Sequence, residues 1–125
     1  MATAQPRQDK DASSLYNRGL ALLKTGRIKE ALDYFNKAIE VNPQLVEALV
    51  NKGVALHGLG KVDEALKFYD KAIQINPKHA EGWTNKGVAL YETGRVEEAL
   101  ECYNNATKID PKFTLAWNNK GVALR

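Results

Sequence analysis

Little in this chain is suited to chemistry. Its 125 residues include one cysteine, Cys102, one methionine and two histidines, His57 and His79. A lone cysteine closes no intrachain disulfide, so nothing points to an oxidising compartment. Neither histidine has a metal-ligand partner at suitable spacing, so no metal is expected. No Gly-x-x-x-x-Gly in the chain is followed by Lys and Ser or Thr, so no phosphate-binding loop is present. No Ser/His/Asp order recurs, and no catalytic constellation emerges; the chain is not expected to be an enzyme or to need a cofactor. No apolar run approaches the roughly 18 residues of a membrane span. The polar start, Met1–Asp11, lacks the apolar run of a secretory signal. The expected location is the cytoplasm, without membrane contact. Eighteen Lys and Arg against fifteen Asp and Glu leave a net charge of +3. The two signs alternate, whereas a nucleic-acid binder concentrates its cations in a patch or stripe. No nucleic-acid partner is expected.

What the chain does have is repetition. Gly19, Gly53, Gly87 and Gly121 recur every 34 residues. On the same period fall Asn17, Asn51, Asn85 and Asn119; Gly26, Gly60 and Gly94; Phe35, Tyr69 and Tyr103; and Pro43, Pro77 and Pro111. Ala31, Ala65 and Ala99, with Ala38, Ala72 and Ala106, join them. Such self-similarity marks a stack of supersecondary units. The expected units are 12–45, 46–79 and 80–113, within a repeat domain of 12–125. A partial unit, 114–125, stops after its first helix. Met1–Asp11 is expected to be a disordered polar tail.

Each unit reads as two helices. Leu49, Gly53 and Leu56 share one face at helical spacing, and Gly60 then interrupts the chain. Lys61-Val62-Asp63-Glu64 opens the second helix, where acids suit the positive end of the helix dipole. Ala65, Leu66, Tyr69, Ala72 and Ile73 form its apolar stripe. Asn76-Pro77 ends it, because the residue before proline is driven from the α region. Gly53 and Ala65 are small where the two helices should cross, and Ala72 is small where the next unit should approach. One such pair cannot bury both faces, so the units must stack.

These residues resemble the tetratricopeptide repeat family. Its pattern of aromatic, Gly, Ala, aromatic, Ala and Pro is matched by Trp83, Gly87, Ala99, Tyr103, Ala106 and Pro111, and nearly as well in the other units. The resemblance covers about nine-tenths of the chain. It implies an all-α, right-handed helical solenoid of three repeats plus one C-terminal helix, with the first helices lining a concave groove. One departure is systematic. Where the family usually has Leu before the first glycine, this chain has Arg18, Lys52, Lys86 and Lys120. Two readings remain open: the aliphatic stems pack while the charges reach water, or a basic spine recruits acidic partners.

The first-helix face opposite Leu49, Gly53 and Leu56 is the expected groove. It carries Glu47, Val50, Asn51, Val54 and His57. Equivalents are Ser13, Tyr16, Asn17, Leu20 and Leu23 before it, and Glu81, Thr84, Asn85, Val88 and Tyr91 after it. Leu115, Asn118, Asn119 and Val122 come last. Leu20, Val54, Val88 and Val122 would make an apolar floor beside the row Asn17, Asn51, Asn85 and Asn119. A carboxamide both donates and accepts, so it matches a peptide group. Helices about 8–10 Å apart would meet an extended chain about every third residue. The expected partner is therefore an extended peptide of another protein, of unknown identity. Specificity would fall to Tyr16, His57, Glu81 and Tyr91. The competing reading of the asparagines is family consensus.

Chaperone-tail receptors of this family grip a C-terminal dicarboxylate with Lys/Arg and Asn. The matching positions here are Tyr16, Leu20, Asn51, Glu81 and Asn85; only Asn51 fits, and that ligand class is not expected. Trp117, Gly121 and Leu124 lie on the face meant for a second helix. Two further expectations follow from that face: the chain is an excerpt of a longer array joined to another domain, or it self-associates as a homodimer through Trp117 and Leu124.

Overall fold

The computed structural model describes the backbone of residues 4–125 and the side chains of residues 11–125. The described residues form seven helices and no strand: α1 (Ala4–Lys24), α2 (Ile28–Val41), α3 (Val46–Gly58), α4 (Val62–Ile75), α5 (Ala80–Glu92), α6 (Val96–Ile109) and α7 (Thr114–Ala123). Each packs most closely on its neighbour in the chain, pairing α1 with α2, α3 with α4 and α5 with α6. Beyond these neighbours only α1 with α3, α3 with α5 and α5 with α7 meet. The backbones of the even helices stay apart from one another. The odd helices are therefore crowded on the inner side of an all-α solenoid, and the even helices fan out behind them.

The turn inside each pair is a repeated device. Gly26, Gly60 and Gly94 have φ of 83°, 83° and 85°, a conformation that costs glycine nothing. They close Schellman-type ends. The backbone N–H groups of Arg27, Lys61 and Arg95 donate to the Leu22, Leu56 and Leu90 carbonyls at 2.9 Å, in the last turns of α1, α3 and α5. Between pairs, Asn42, Asn76 and Asp110 accept from the backbone N–H two residues on, at 3.0, 3.1 and 3.2 Å. That side-chain turn bends the chain into the following odd helix.

Within each pair an aromatic ring fills the space a glycine leaves. A methyl group on Gly19, Gly53 or Gly87 would lie 2.6, 2.4 or 2.5 Å from the ring of Phe35, Tyr69 or Tyr103. The rings are fully buried. The largest core cluster joins Leu49, Val50, Leu56, Tyr69 and Ala72 across α3 and α4, and reaches Ala89 of α5. The core thus runs along the stack.

The N-terminal stretch differs from expectation. Met1–Asp11, read from sequence as a disordered tail, is helical from Ala4; Met1–Thr3 lies outside the described residues. Polarity does not oppose a helix here, because Ala, Gln, Arg and Lys are all good helix formers. Pro6 falls in the first turn, where an N–H has no helical acceptor in any case.

Candidate functional site

The inner face of α1, α3, α5 and α7 gathers most of the expected groove residues. Asn51 is its best-defined member. Its Nδ2 donates to the Glu47 carbonyl at 3.0 Å and to Tyr16 Oη at 3.1 Å. A carbonyl oxygen only accepts, so the amide orientation is fixed by chemistry. Asn51 keeps Oδ1 as an acceptor, and Tyr16 keeps its own O–H as a donor. Tyr16 is half-buried, with its ring centroid 6.0 Å from that of Phe35. Its hydroxyl is held above the usual phenol range, first by burial and then by the carboxylates of Glu47 and Glu81. Glu81 lies on α5, two odd helices from Tyr16 on α1.

Asn17 is exposed, while Asn85 and Asn119 are half-buried like Asn51. Leu20, Val54 and Val88 are half-buried, and Val122 is 41% exposed. Val54 and Val88 rest on the two larger core clusters. Glu47, Glu81 and Tyr91 face solvent. Leu115 is 49% exposed, and Asn118 is also exposed.

Two expected groove residues are not in the groove. Val50 is 1% exposed and Thr84 0%. Val50 belongs to the core and faces Gly82 of α5, where an added methyl would meet it at 3.7 Å, an ordinary contact. Thr84 Oγ1 is turned onto the Ala80 carbonyl at 3.0 Å. The reason is the close approach of odd helices: a face that is open on one helix becomes a seam once the next helix lies beside it. His57 is also engaged, its Nε2 2.7 Å from Glu92 Oε1 across the α3–α5 boundary.

The cations preceding the glycines sit over aromatic rings. Lys52 Nζ lies 4.1 Å from the Phe68 centroid, Arg18 Cζ 5.8 Å from Tyr34, Lys86 Nζ 5.7 Å from Trp83 and Lys120 Nζ 5.2 Å from Trp117. Lys86 also pairs with Asp70 at 2.7 Å. Burial and the nearby Lys71 lower the Lys52 pKa. The side chains pack along their stems and over rings, as in the first of the two readings.

Trp83 and Trp117 share a local anchor, their Nε1 donating to the Pro77 and Pro111 carbonyls at 2.8 and 2.7 Å. Trp117 is nevertheless 47% exposed and Leu124 63%. Nothing lies within 4 Å of a methyl group built on Gly121. Cys102 is 3% exposed in the core between α5 and α6, and burial pushes its thiol up to about 11. No group of three His, Cys, Asp or Glu among the described residues could hold a metal. A surface cleft of about 510 Å³ is lined by Asp11, Ser14, Leu15, Arg18 and Val41, none of them from the asparagine row.

Tetratricopeptide repeat family models match residues 16–80 and 80–113. The chain belongs to the tetratricopeptide repeat family. Its fold is close to the first tetratricopeptide domain of Spaghetti (RPAP3) bound to the HSP90 peptide SRMEEVD, with a TM-score of 0.87 at 22% identity over 93% of this chain and 92% of that one. The tetratricopeptide protein YrrB, described as having an unusual peptide-binding site, is 32% identical with a TM-score of 0.81, over 89% of this chain and 57% of that one. Photosystem I assembly protein Ycf3 of Acaryochloris marina is 49% identical over 35 residues, 28% of this chain. That match spans about a fifth of the relative's length. A tetratricopeptide array is a non-catalytic protein-interaction fold. No described helix is long and apolar enough to cross a membrane.

Proposed function

We propose that this tetratricopeptide module binds an extended segment of a partner protein along the inner face of α1, α3, α5 and α7. The observation that carries the reading is the Tyr16–Asn51 pair. Asn51 is held by Glu47 and Tyr16, so its remaining acceptor is pre-positioned, and the Tyr16 O–H is a donor beside it. Together they match the C=O and N–H of a peptide backbone. Asn17, Asn85 and Asn119 repeat the carboxamide on the neighbouring odd helices, next to the Leu20, Val54 and Val88 floor. The similarity to YrrB supports the same reading. Each hydrogen bond adds about 0.5–1.5 kcal/mol net. A few of them with apolar contacts reach micromolar affinity, about −8 kcal/mol.

The test is a peptide-library selection, with hits re-measured on an Asn51→Ala/Asn85→Ala variant. Loss of binding with an unchanged helical melting curve supports the groove. Equal binding by the variant returns the asparagines to family consensus.

A second reading has its own observation. Phe35, Tyr69 and Tyr103 fill the space at Gly19, Gly53 and Gly87, but no described residue fills that at Gly121. This face suits an amphipathic helix bearing an aromatic, and a second copy of the chain is one source. In sedimentation equilibrium, a mass that rises with concentration in the wild type, and stays monomeric in Trp117→Ser/Leu124→Ser, supports self-association. A monomer at all concentrations rejects it.

A further inference from the structure

The chain carries a net charge of +3, yet the wall of the groove beside the asparagines is acidic. Glu47 and Glu81 occupy the same place in successive units, one helical turn before Asn51 and Asn85. The other residues on that period are Ser13 and Leu115, so no cation shares the position. Both carboxylates are solvent-exposed, and neither forms an ion pair among the described residues. Both act on the Tyr16 hydroxyl, so their fields overlap at the donor that the groove presents. The odd-helix cations are drawn away from this wall, Lys52 onto the Phe68 ring and Lys86 onto Asp70. As second residues of α3 and α5, the two glutamates also favour their helix dipoles. That contribution is local to each helix and leaves both charges available to a ligand.

We infer that the groove selects a basic segment, with Lys or Arg side chains meeting Glu47 and Glu81 while the backbone lies on the asparagines. This rests on the groove reading above and adds the chemistry of the occupant. The spacing follows from geometry. Adjacent odd helices stand about 8–10 Å apart. A polyproline II strand advances about 9.3 Å in three residues and brings every third side chain to the same side. The segment therefore carries Lys or Arg at two positions three residues apart. An acidic segment meets two uncompensated carboxylates and is rejected, because discrimination works through repulsion as well as attraction.

The probe is a random-peptide library displayed on phage, selected against the wild type and against Glu47→Lys/Glu81→Lys. Selected peptides are then re-measured in solution on Glu47→Gln/Glu81→Gln at low and high salt. Wild-type hits should be enriched in Lys or Arg spaced three apart. The glutamine variant should bind them about tenfold more weakly and lose most of the salt dependence. The lysine variant should select acidic peptides instead. Helical circular dichroism shows whether each variant is folded, and the glutamine variant keeps the test valid where the lysine variant is not. Hits with no basic enrichment that still depend on Asn51 and Asn85 overturn the charge inference and leave the groove reading standing. Hits indifferent to Asn51 and Asn85, or no hits at all, overturn both.

Discussion

Replacing Gly53 with alanine sets two effects of known sign against each other. Alanine is favoured over glycine inside a helix by about 1 kcal/mol. At this position, however, the new methyl would sit 2.4 Å from Tyr69 Cε1 and 2.8 Å from Cδ1. Tyr69 is 1% exposed and belongs to the main core cluster, so its ring has nowhere to retreat. Overpacking of a core costs about 1–3 kcal/mol, and a contact this short belongs at the upper end. The balance is a loss of about 1–2 kcal/mol, or a Tm lower by about 3–10 °C. Gly121→Ala is the control, because nothing lies within 4 Å of its added methyl. It should be neutral or gain up to about 1 kcal/mol. Urea and thermal unfolding followed by helical circular dichroism separate the two. A Gly53→Ala chain as stable as the wild type would refute the account of how paired helices lock.

Three further outcomes follow from burial and charge. The Cys102 thiol, pushed up to about 11 by burial, should resist alkylation near pH 8 until the chain unfolds; alkylation as fast as that of a free thiol would place it at the surface. Burial raises the pKa of Tyr103 to about 12 and raises that of Tyr69 further. The unfolded chain releases these protons near pH 10, so this stability is complete below about pH 10 and declines above it. Tyr69→Phe/Tyr103→Phe, which copies Phe35, should flatten the decline in urea midpoint between about pH 9 and 11; an unchanged slope contradicts this. Asn36 Oδ1 is buried without a partner, whereas Asp70, one period later, pairs with Lys86 at 2.7 Å. Asn36→Asp should give Lys52 the equivalent pair and raise stability by up to about 1 kcal/mol in urea unfolding; a loss would mean that the contact does not follow the period.

The architecture was legible because its signals are local and occur several times. Gly26, Gly60 and Gly94 each close a helix, Asn42, Asn76 and Asp110 each bend the next turn, and Gly19, Gly53 and Gly87 each receive a ring. The groove was only partly legible. A wheel drawn on α3 alone places Val50 on an open face, but α5 lies against that face and buries it. The Tyr16–Asn51 and His57–Glu92 contacts join side chains 35 residues apart, and no single-helix pattern contains them. The start of α1 was missed because its polar composition suggested solvation, although its residues favour helix.

The central claim is that a partner segment lies on the inner face of the odd helices. Amide chemical-shift mapping of the nitrogen-labelled chain with a library-selected peptide tests it most directly. The account predicts that the largest shifts fall on Tyr16, Asn51, Val54, Asn85 and Val88, with α2, α4 and α6 little changed. Shifts concentrated on the even helices, or on Trp117 and Leu124 with the inner face silent, would contradict it.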